Sequence, residues 1–579
     1  MLSWVKDVTR LTKPKNVFWF DGSDDDTAQI TKSMLDRAEL IKLNESEYKN
    51  CYLFRNLPDD VARVKERTFI CTKTPEEAGP TNNWMSIIRA KTLLNELFDG
   101  VMLDKEMYII PYLLGPEKSK YSRWGVEATD SPLVALTTAI LTKAGKTVLE
   151  EFGDSGRFVR GIHSTGNLKK ENRYICHFPD EELLMSINTN YGGNASLSKK
   201  PHALRLASFQ AKKEGWLAEH MFILELEDPN GKCFYISGAL PSASGKTNLA
   251  MIRPPKAFND WKIRTVGDDI AWIHCSDEGS TVGINPEHGF FGVAYDTGPY
   301  SNPNILECIK KNTLFTNVGL TTDNKPWWEG LTEEVPKNVI DWTGKRWASN
   351  SKAPVANKNS RYATKIDQYS LKSKNYNLPD GVPISIILFG GRRANLVPLV
   401  YEAYNWEHGI LIGAMMRAET TTAISGKVGQ LRHDPMGMMD FCGYNMGDYF
   451  AHWIEFGKKL KTKPRIFFVN WFRKDGLGNY LWPGFSENFR ILKWMVDRVE
   501  NGIDAVSTPI GYIPKVDSID LTGLDIKKET VEELLKIDKD GWLKELSEIK
   551  EFFYEFDGKI PNELWNEYYK LEKRLIESQ

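Results

Sequence analysis

The chain has 579 residues, 41% of them hydrophobic and 26% charged, as in a soluble globular protein of several domains. Its formal net charge of −2 gives no global basic field, which argues against a nucleic-acid-binding protein or one that docks on an acidic membrane. The seven cysteines are scattered and form no CxxC pair, which favours a reducing compartment. No apolar run approaches the ~20 residues that span a bilayer, and residues 1–8 show no signal pattern. These features together predict a cytoplasmic protein.

The first part of the chain, residues 1–215, mixes short helices and strands and is predicted to form an N-terminal lobe. Within it, residues 201–219 predict one helix, because Leu204, Ala207 and Ala211 fall on one side.

A glycine-rich turn precedes that helix and leads into a lysine pair. Gly192 and Gly193 permit a ligand to approach the backbone closely, and Lys199 and Lys200 follow. A lysine pair is usually a solvated face, and a single histidine such as His220 is usually a hydrogen-bonded structural residue. Both alternatives stay open at this point.

The next segment predicts a β-hairpin that runs into a loop. Residues 221–237 contain two apolar runs joined through residues 229–231, and the Asn-Gly pair there is a hairpin signal. A loop over residues 238–246 follows, and a helix is predicted to start at Thr247. This strand-loop-helix order is the context in which phosphate-binding loops occur.

The loop contains Gly245-Lys246-Thr247, the end of a phosphate-loop motif. In such a loop the backbone N–H groups face phosphate oxygens, the lysine adds charge, and the threonine hydroxyl reaches a magnesium ion. The match is imperfect, because Leu240 stands where the first glycine belongs and Pro241 follows it. The tripeptide is therefore either accidental or part of a variant loop.

Two adjacent acids interrupt the following strand, at Asp268 and Asp269. They are candidates to hold a metal ion opposite the phosphates, although a solvated turn is the alternative. Lys200, His220 and Asp269 flank the loop in sequence and could converge on one ion. A lysine ligates a metal only as a neutral amine in a desolvated site.

The remainder predicts a second lobe over residues 216–579, with a loop-rich insertion at about 280–380. Strands are predicted at residues 384–389 and 465–471, and amphipathic helices from about residue 525 onward. The fold class is therefore mixed α/β, with two lobes.

Two arginine clusters and one aromatic cluster complete the candidates. Arg361 follows Asn359, and residues 390–393 place an arginine pair directly after an apolar strand, where arginines can grip carboxylate or phosphate in bidentate fashion. Surface ion pairs are the alternative. Residues 470–485 concentrate aromatic side chains, which either pack in the core or sandwich a planar base.

Seven motifs in order make the chain resemble the GTP-dependent phosphoenolpyruvate carboxykinases. The motifs lie at residues 191–194, 214–221, 241–251, 267–272, 389–393, 433–435 and 469–475. The resemblance runs from about Arg63 to the C-terminal helices. It implies that Leu240 belongs to the family's own variant P-loop, in the C-terminal lobe of a two-lobed fold.

The resemblance implies the reversible conversion of oxaloacetate and GTP to phosphoenolpyruvate, CO2 and GDP, in gluconeogenesis or anaplerosis. It implies catalytic positions at Lys200, His220, Ser244, Lys246 and Arg392. It implies metal ligands at Lys200, His220 and Asp269, with Asp268 beside them, for a catalytic Mn²⁺, and at Thr247 for Mg²⁺ or Mn²⁺ on the nucleotide.

The implied substrate-binding positions are Arg63, Tyr191, Gly192, Gly193, Ser242, Asn359, Arg361 and Phe441. The implied nucleotide-binding positions are Ala243, Ser244, Gly245, Lys246, Thr247, Asn248, Arg392, Trp471, Phe472, Tyr480, Phe485 and Asn488. Residues 419–430 match a mobile lid.

The chain departs from the family pattern at two positions. Ser244 stands where a reactive cysteine is usual, and Tyr480 replaces a phenylalanine of the guanine pocket. The same chemistry with ATP or another phosphoryl donor remains an alternative, as does a catalytically inactive nucleotide-binding regulator. The expected partners are small molecules only, with no nucleic acid and no membrane, and the expected state is a monomer.

Overall fold

The computed structural model describes residues 1–152, 156–241, 244–420 and 429–578. The chain divides by its internal contacts into two compact units. Unit 1 comprises Met1–Ala78, Asn82–Phe209 and Pro286–Lys372, and unit 2 comprises Gly79–Thr81, Gln210–Asn285 and Ser373–Gln579. No helix in the described part of the chain is both long enough and apolar enough to span a bilayer.

The helices are α1 (Leu2–Thr12), α2 (Asp24–Asp36), α3 (Pro75–Ala78), α4 (Ile87–Phe98), α5 (Pro132–Leu141), α6 (Lys146–Phe152), α7 (Gly192–Ala195), α8 (Ala207–Glu214), α9 (Lys246–Ala250), α10 (Pro303–Cys308), α11 (Trp406–Ala414), α12 (Met446–Lys459), α13 (Asn488–Glu500), α14 (Lys528–Leu535), α15 (Lys539–Tyr554) and α16 (Asn562–Glu577).

The strands are β1 (Asn16–Trp19), β2 (Leu40–Lys42), β3 (Tyr52–Phe54), β4 (Thr68–Thr72), β5 (Asn83–Ser86), β6 (Glu106–Leu114), β7 (Arg123–Thr129), β8 (Lys143–Ala144), β9 (Val159–Ser164), β10 (Tyr174–Phe178), β11 (Leu183–Ile187), β12 (Leu217–Glu219), β13 (Phe222–Glu227), β14 (Cys233–Ala239), β15 (Lys262–Gly267), β16 (Ala271–Cys275), β17 (Thr281–Ile284), β18 (Gly289–Val293), β19 (Leu314–Thr316), β20 (Gly319–Leu320), β21 (Pro326–Trp327), β22 (Arg361–Lys365), β23 (Val382–Gly390), β24 (Val400–Glu402), β25 (Arg417–Glu419), β26 (Leu431–His433), β27 (Arg465–Val469), β28 (Ala505–Thr508) and β29 (Gly511–Pro514).

Unit 1 contains two large sheets and the two-stranded sheet β20-β21. The larger has the order β1-β6-β7-β9-β11-β10-β4-β5, with β8 paired to β6, and the smaller has the order β18-β22-β19-β3-β2. Apolar residues of α1 and α4, such as Val8 and Leu94, pack with Ile109 and Val126 of the larger sheet to form one core. Leu133 and Leu136 of α5 contribute to a second core, with Phe291 and Ala363 of the smaller sheet.

The loop-rich segment belongs by its contacts to unit 1. The sequence analysis placed residues 280–380 in the C-terminal lobe, whereas the structure groups Pro286–Lys372 with the N-terminal part of the chain. The physical reason is strand pairing, because β19 pairs in parallel with β3 and antiparallel with β22. Pairing between segments so distant in sequence leaves no local sequence signal.

Unit 2 contains a mixed sheet in which β12-β16-β17-β23-β27-β24-β29-β28 follow one another, and β14, β13 and β15 extend from β23. Strands β14, β23 and β27 are parallel neighbours. Their apolar side chains, including Ile236, Leu388 and Phe467, are fully buried and share a core with α13 and α14. Continuously apolar strands are expected where a parallel sheet is covered on both faces.

Most of the predicted elements are confirmed. The mixed α/β class is correct, β13 and β14 form the predicted hairpin, and β23, β27, α14 and α15 lie where strands and helices were expected. The prediction of one helix over residues 201–219 is wrong. A π-helical segment, Ser198–Leu206, leads into α8, and Gly215, with a φ of 82°, ends that helix before β12.

Candidate active site

The carboxyl ends of three parallel strands meet at one edge of the sheet in unit 2. The register pairs Ala239 of β14 with Phe389 of β23, and Phe389 in turn with Phe468 of β27. The loops that follow these strands therefore leave the sheet at the same level. They carry the P-loop, the arginine pair and the aromatic cluster, and this edge is where open parallel sheets bind ligands.

The P-loop leads from β14 into the short helix α9. Ser242 and Ala243 lie outside the described residues, whereas Ser244 is buried and donates its backbone N–H to Pro241 O at 3.0 Å. Lys246, Thr247 and Asn248 open α9. The strand-loop-helix prediction is therefore confirmed for the described part of the loop.

Asp269 brings together the P-loop lysine and the predicted histidine ligand. Its Oδ1 accepts a hydrogen bond from Lys246 Nζ at 2.8 Å and lies 3.0 Å from His220 Nε2. Lys246 Nζ also donates to Asp269 O at 3.0 Å. The neighbouring Asp268 is buried to 5% exposure. The Lys246 ammonium and the His220 imidazole thus both contact the Asp269 carboxylate.

The orientation of His220 suits a divalent cation. Its Nδ1 lies 3.1 Å from Gly437 O, and because a carbonyl oxygen only accepts, Nδ1 must carry the proton. Nε2 faces Asp269 Oδ1, which also only accepts, so a cation bound between these two atoms would take the place of the Nε2 proton. An imidazole nitrogen and a carboxylate oxygen are ligands that Mn²⁺ and related ions accept, and the donated Nδ1–H is the usual support for such a histidine.

Two further side chains hold the histidine in place. The ring of Phe441, which is 4% exposed, lies against His220 with ring centroids 4.6 Å apart. The preceding residue, Glu219, is fully buried and accepts hydrogen bonds from Tyr449 Oη and from Trp453 Nε1 at 3.0 Å. Burial raises the pKa of Glu219 to about 8. The sequence analysis missed Glu219 because only the fold brings α12 next to β12.

Arg392 follows β23 and lies among the predicted base-binding aromatic residues. Its guanidinium carbon is 4.5 Å from the centroid of the Phe472 ring, and its Nη2 donates to Tyr480 Oη at 2.9 Å. The rings of Phe472 and Tyr480 meet edge to face, with centroids 6.1 Å apart. These three predicted nucleotide-binding residues are thus in direct contact.

The other predicted base-pocket residues differ in exposure. Tyr480 and Phe485 are 50% and 52% exposed, whereas Trp471 is only 5% exposed and belongs to the core of unit 2. Asn488 accepts a hydrogen bond from Trp482 Nε1 at 2.9 Å. The exposed rings are therefore available to a planar ligand, whereas Trp471 is enclosed in the core.

The Asn470 side chain fixes the backbone that carries Arg392 and Phe472. No role for Asn470 was predicted from the sequence. Its Oδ1 accepts from the backbone N–H groups of Arg393 and Phe472, both at 3.2 Å. Its Nδ2 donates to the carbonyl oxygens of Arg393 and Val397, both at 2.9 Å. The side chain is fully buried with every hydrogen-bonding position used, so it joins the ends of β23 and β27 rigidly.

A buried charge network ties the same region to α15. Arg393 donates to both carboxylate oxygens of Glu545, at 2.6 and 2.9 Å, and Arg417 Nη1 lies 3.1 Å from the same carboxylate. Burial alone would raise the pKa of Glu545, but the two arginines outweigh it and hold that pKa below its ordinary value. Arg417 begins β25, which pairs with β26. The predicted lid at residues 419–430 lies between them, and residues 421–428 are outside the described part of the chain.

Unit 1 carries most of the predicted substrate-binding residues. Arg361 Nε donates to Tyr191 Oη at 3.2 Å, and its guanidinium carbon is 5.4 Å from the centroid of the Phe291 ring. The backbone of Gly193 passes so close to Tyr191 and Arg63 that a Cβ there would lie 2.5 Å from the tyrosine ring and 3.3 Å from Arg63 Cγ. These residues therefore form one cluster.

A buried aspartate anchors the turn that carries Tyr191. Asp60 is 1% exposed and accepts the backbone N–H of Tyr191 at 3.1 Å and the hydroxyl of Thr189 at 2.6 Å. Asn194 Nδ2 donates to Ala62 O at 3.0 Å, which ties the same turn to the segment before Arg63. The backbone of Asn359 is held by its own N–H bond to Asn357 Oδ1 at 2.8 Å.

Lys200 lies in the buried π-helical segment of unit 1. Lys199 interrupts the segment with φ and ψ of −84° and −112° and forms a salt bridge with Glu287. Glu127 accepts the backbone N–H of Leu197 at 3.2 Å, and burial raises its pKa to about 8. Because Lys200 belongs to unit 1 and His220 to unit 2, their meeting at one ion stays a prediction.

Two family models match the chain. Residues 3–212 match the phosphoenolpyruvate carboxykinase N-terminal domain, and residues 216–574 match the phosphoenolpyruvate carboxykinase C-terminal P-loop domain. The second match alone covers more than half of the chain. Six of the seven motifs that carry the resemblance fall within these two ranges, and the motif at residues 214–221 begins two residues before the second range.

Relatives from several organisms are similar along nearly the whole length. The phosphoenolpyruvate carboxykinase (GTP) of Thermoplasma volcanium is 48% identical over 99% of this chain and 97% of its own. The enzymes of that name from Anaeromyxobacter dehalogenans strain 2CP-C and Chlamydia pneumoniae are 46% and 45% identical, over 97% and 99% of this chain and 94% and 98% of their own. The chain belongs to the family of GTP-dependent phosphoenolpyruvate carboxykinases.

Proposed function

We propose that this chain decarboxylates oxaloacetate and transfers the γ-phosphoryl group of GTP to the resulting enolate, giving phosphoenolpyruvate, CO2 and GDP. The observation that carries the proposal is the contact of Asp269 with both His220 and Lys246. Lys246 of the P-loop therefore lies next to His220 and Asp269, which are able to bind a cation. This combination supports phosphoryl transfer to an oxygen nucleophile.

We assign the binding of the transferred phosphoryl group to residues of unit 2. We assign Lys246 to the β- and γ-phosphates, with Ser242, Ala243, Ser244, Gly245 and Asn248 as their further loop contacts. Arg392 is assigned to the transferring phosphoryl group, where its fixed charge spreads the charge that develops in the transition state. The paired ends of β14 and β23 support this assignment, because Lys246 and Arg392 both follow strands that end at the same edge of the sheet.

His220 and Asp269 would hold the catalytic divalent ion, for which we propose Mn²⁺, with Asp268 beside them. When bound, such an ion supplies positive charge that favours the enolate oxygen formed on decarboxylation. Thr247 would serve Mg²⁺ or Mn²⁺ that arrives with the nucleotide. Within the protein, Gly437 O and the Phe441 ring would keep the imidazole in the orientation that ligation requires.

The carboxylates of oxaloacetate are assigned to the arginines of unit 1. Arg361, held by Tyr191 and Phe291, and Arg63 are able to bind a carboxylate in bidentate fashion. Gly192, Gly193 and Asn359 would contribute backbone or amide contacts. In unit 2, we assign Phe441 to the substrate as well.

The base is assigned to the aromatic cluster of unit 2. Phe472, Tyr480 and Phe485 would contact the guanine rings, with Trp471 behind them and Asn488 at the polar edge. A site that hydrogen-bonds the guanine edge disfavours adenine, because its polar groups would be left unpaired. We further propose that the protein acts in the cytoplasm as a monomer, with these small molecules as its only partners.

The direct test is formation of phosphoenolpyruvate from oxaloacetate with Mn²⁺ and GTP. We expect turnover with GTP and ITP, and a catalytic efficiency with ATP lower by more than about tenfold. His220→Ala should lower turnover by more than about 100-fold because it removes a metal ligand, while the melting temperature stays close to that of the unmodified protein.

The alternatives give different results in the same assay. Equal catalytic efficiency with ATP and GTP would contradict the assignment of the base pocket. Tight GTP binding without formation of phosphoenolpyruvate would identify a nucleotide-binding regulator and refute the proposed enzyme.

A further inference from the structure

A short hairpin next to β27 presents Tyr480 to Arg392. Asp475 shapes its turn by accepting the backbone N–H groups of Leu477 at 2.9 Å and Asn479 at 2.8 Å. Lys474 donates its own backbone N–H to Ala394 O at 2.9 Å and forms a β-bridge with Tyr480. The hairpin is therefore attached by its backbone to the segment that carries the arginine.

The arginine and the tyrosine are bonded through their side chains as well. Arg392 Nη2 donates to Tyr480 Oη at 2.9 Å while the guanidinium lies on Phe472, 4.5 Å from the ring centroid. The backbones of Arg393 and Phe472 are in turn bonded to Asn470. The Tyr480 hydroxyl, the Phe472 ring and the backbone bonded to Asn470 thus all restrain the position of the guanidinium.

That hydroxyl is a feature of this chain. The resemblance to the family places phenylalanine at position 480, which would keep the ring contact with Phe472 but offer no acceptor to the arginine. A free arginine side chain populates many rotamers, so an added acceptor restricts it. Lys474 Nζ lies 4.9 Å from the centroid of the Tyr480 ring and helps to hold that ring in place.

We propose that the Tyr480 hydroxyl is a positioning group for Arg392 and thereby increases the preference of the protein for a nucleoside triphosphate over the diphosphate. The proposal rests on the proposed function, because it takes Arg392 to face the γ-phosphoryl group. Arg392 touches that group only in GTP, whereas the base contacts are the same in GTP and GDP. The ratio of the two affinities therefore isolates the arginine from the base pocket.

The test is equilibrium binding of GTP and of GDP, each at the same Mn²⁺ concentration. Tyr480→Phe should lower the GTP-to-GDP affinity ratio about three- to tenfold, the effect of losing one hydrogen bond to a charged donor at a partly exposed position. The matched control is Tyr569→Phe on α16, which removes a hydroxyl from a tyrosine that is 48% exposed, against 50% for Tyr480. The control should leave the ratio unchanged.

A double-mutant cycle decides whether the hydroxyl acts through the arginine. In an Arg392→Met background, Tyr480→Phe should have no further effect on the ratio, because the side chain at position 392 can no longer donate to the hydroxyl. Equal loss of GTP and GDP affinity would overturn the inference and assign Tyr480 to the base alone. The same change of the ratio in both backgrounds would also overturn it, because the hydroxyl would then act without the arginine. These measurements require no turnover, so a failure to form phosphoenolpyruvate would refute the proposed function without changing how the binding ratios are read.

Discussion

Ser244 lies in the P-loop at the position where the resemblance to the family leads us to expect a reactive cysteine. It is 1% exposed, and its hydroxyl has no hydrogen-bond partner among the described residues. A cysteine there would lie close to Lys246, where its pKa would fall and its thiolate would react readily. A serine hydroxyl does not ionise under such conditions, so the vulnerable thiol of the family is missing from this position.

Burial or a raised pKa makes several of the cysteines poor targets for thiol reagents. Cys442 is fully buried, and burial raises its pKa. Burial likewise raises the pKa of Cys51 to about 12 and that of Cys308 to about 11. Cys233 is exposed, but partial desolvation and nearby carboxylates raise its pKa as well.

We expect the protein to keep its activity after brief treatment with an alkylating reagent. Ser244→Cys should make it sensitive, and GTP should protect that variant by covering the loop. The measurement is residual formation of phosphoenolpyruvate against time of treatment. Rapid inactivation of the unmodified protein, and equally rapid inactivation of Cys442→Ser, would show that another thiol is the vulnerable one.

At the scale of single elements, α15 stabilises the strand ends of unit 2 through one carboxylate. Glu545 neutralises Arg393 and Arg417, all three being buried. Removing one partner of a buried ionic network leaves the others uncompensated, which costs about 3–5 kcal/mol. The nearby ring of His433 in β26 lies flat on Phe552 of α15, with centroids 4.0 Å apart, so the same helix also supports β26.

Glu545→Ala should therefore lower the melting temperature of unit 2 by several degrees, and Glu545→Gln should lower it less. Calorimetry measures both. The control is Glu551→Ala, which removes an exposed glutamate from the same helix. If both alanine variants melted at the same temperature, the network would have no stabilising role.

The elements that carry motifs could be predicted from sequence, and those that depend on distant pairing could not. The hairpin β13–β14 and the contact of Lys246 and His220 with Asp269 follow from local turn signals and from motif residues. Asn470 carries no such signal, because its partners become neighbours only when β23 and β27 pair. The predicted helix over 201–219 failed because the apolar pattern continues past Gly215 into a buried strand.

At the scale of the whole molecule, buried acids make stability depend on pH. Burial raises the pKa of Glu127 from 4.5 to about 8, so the folded protein binds a proton there that the unfolded chain releases. The stabilising contribution is complete below pH 4.5 and is lost as the pH rises through about 8. For this one group, the loss is at most ~1.4 kcal/mol per pH unit.

Glu127→Gln remains neutral at every pH. Its melting temperature relative to that of the unmodified protein should therefore rise as the pH increases from about 5 to about 9. Thermal unfolding at a series of pH values measures the difference, with Glu171→Gln as an exposed control. A difference that does not vary with pH would contradict the raised pKa.

The interleaved order of the two units along the chain has a consequence for synthesis on the ribosome. Strand β14 acquires its parallel neighbour β23 only after Pro286–Lys372, which belongs to unit 1, has been translated. Likewise, β3 can pair with β19 only after β19 has been translated, so the smaller sheet cannot form before then. At typical elongation rates the nascent chain therefore exposes the unpaired edge of β14 for roughly 10–30 s, a period in which chaperones would protect it from aggregation.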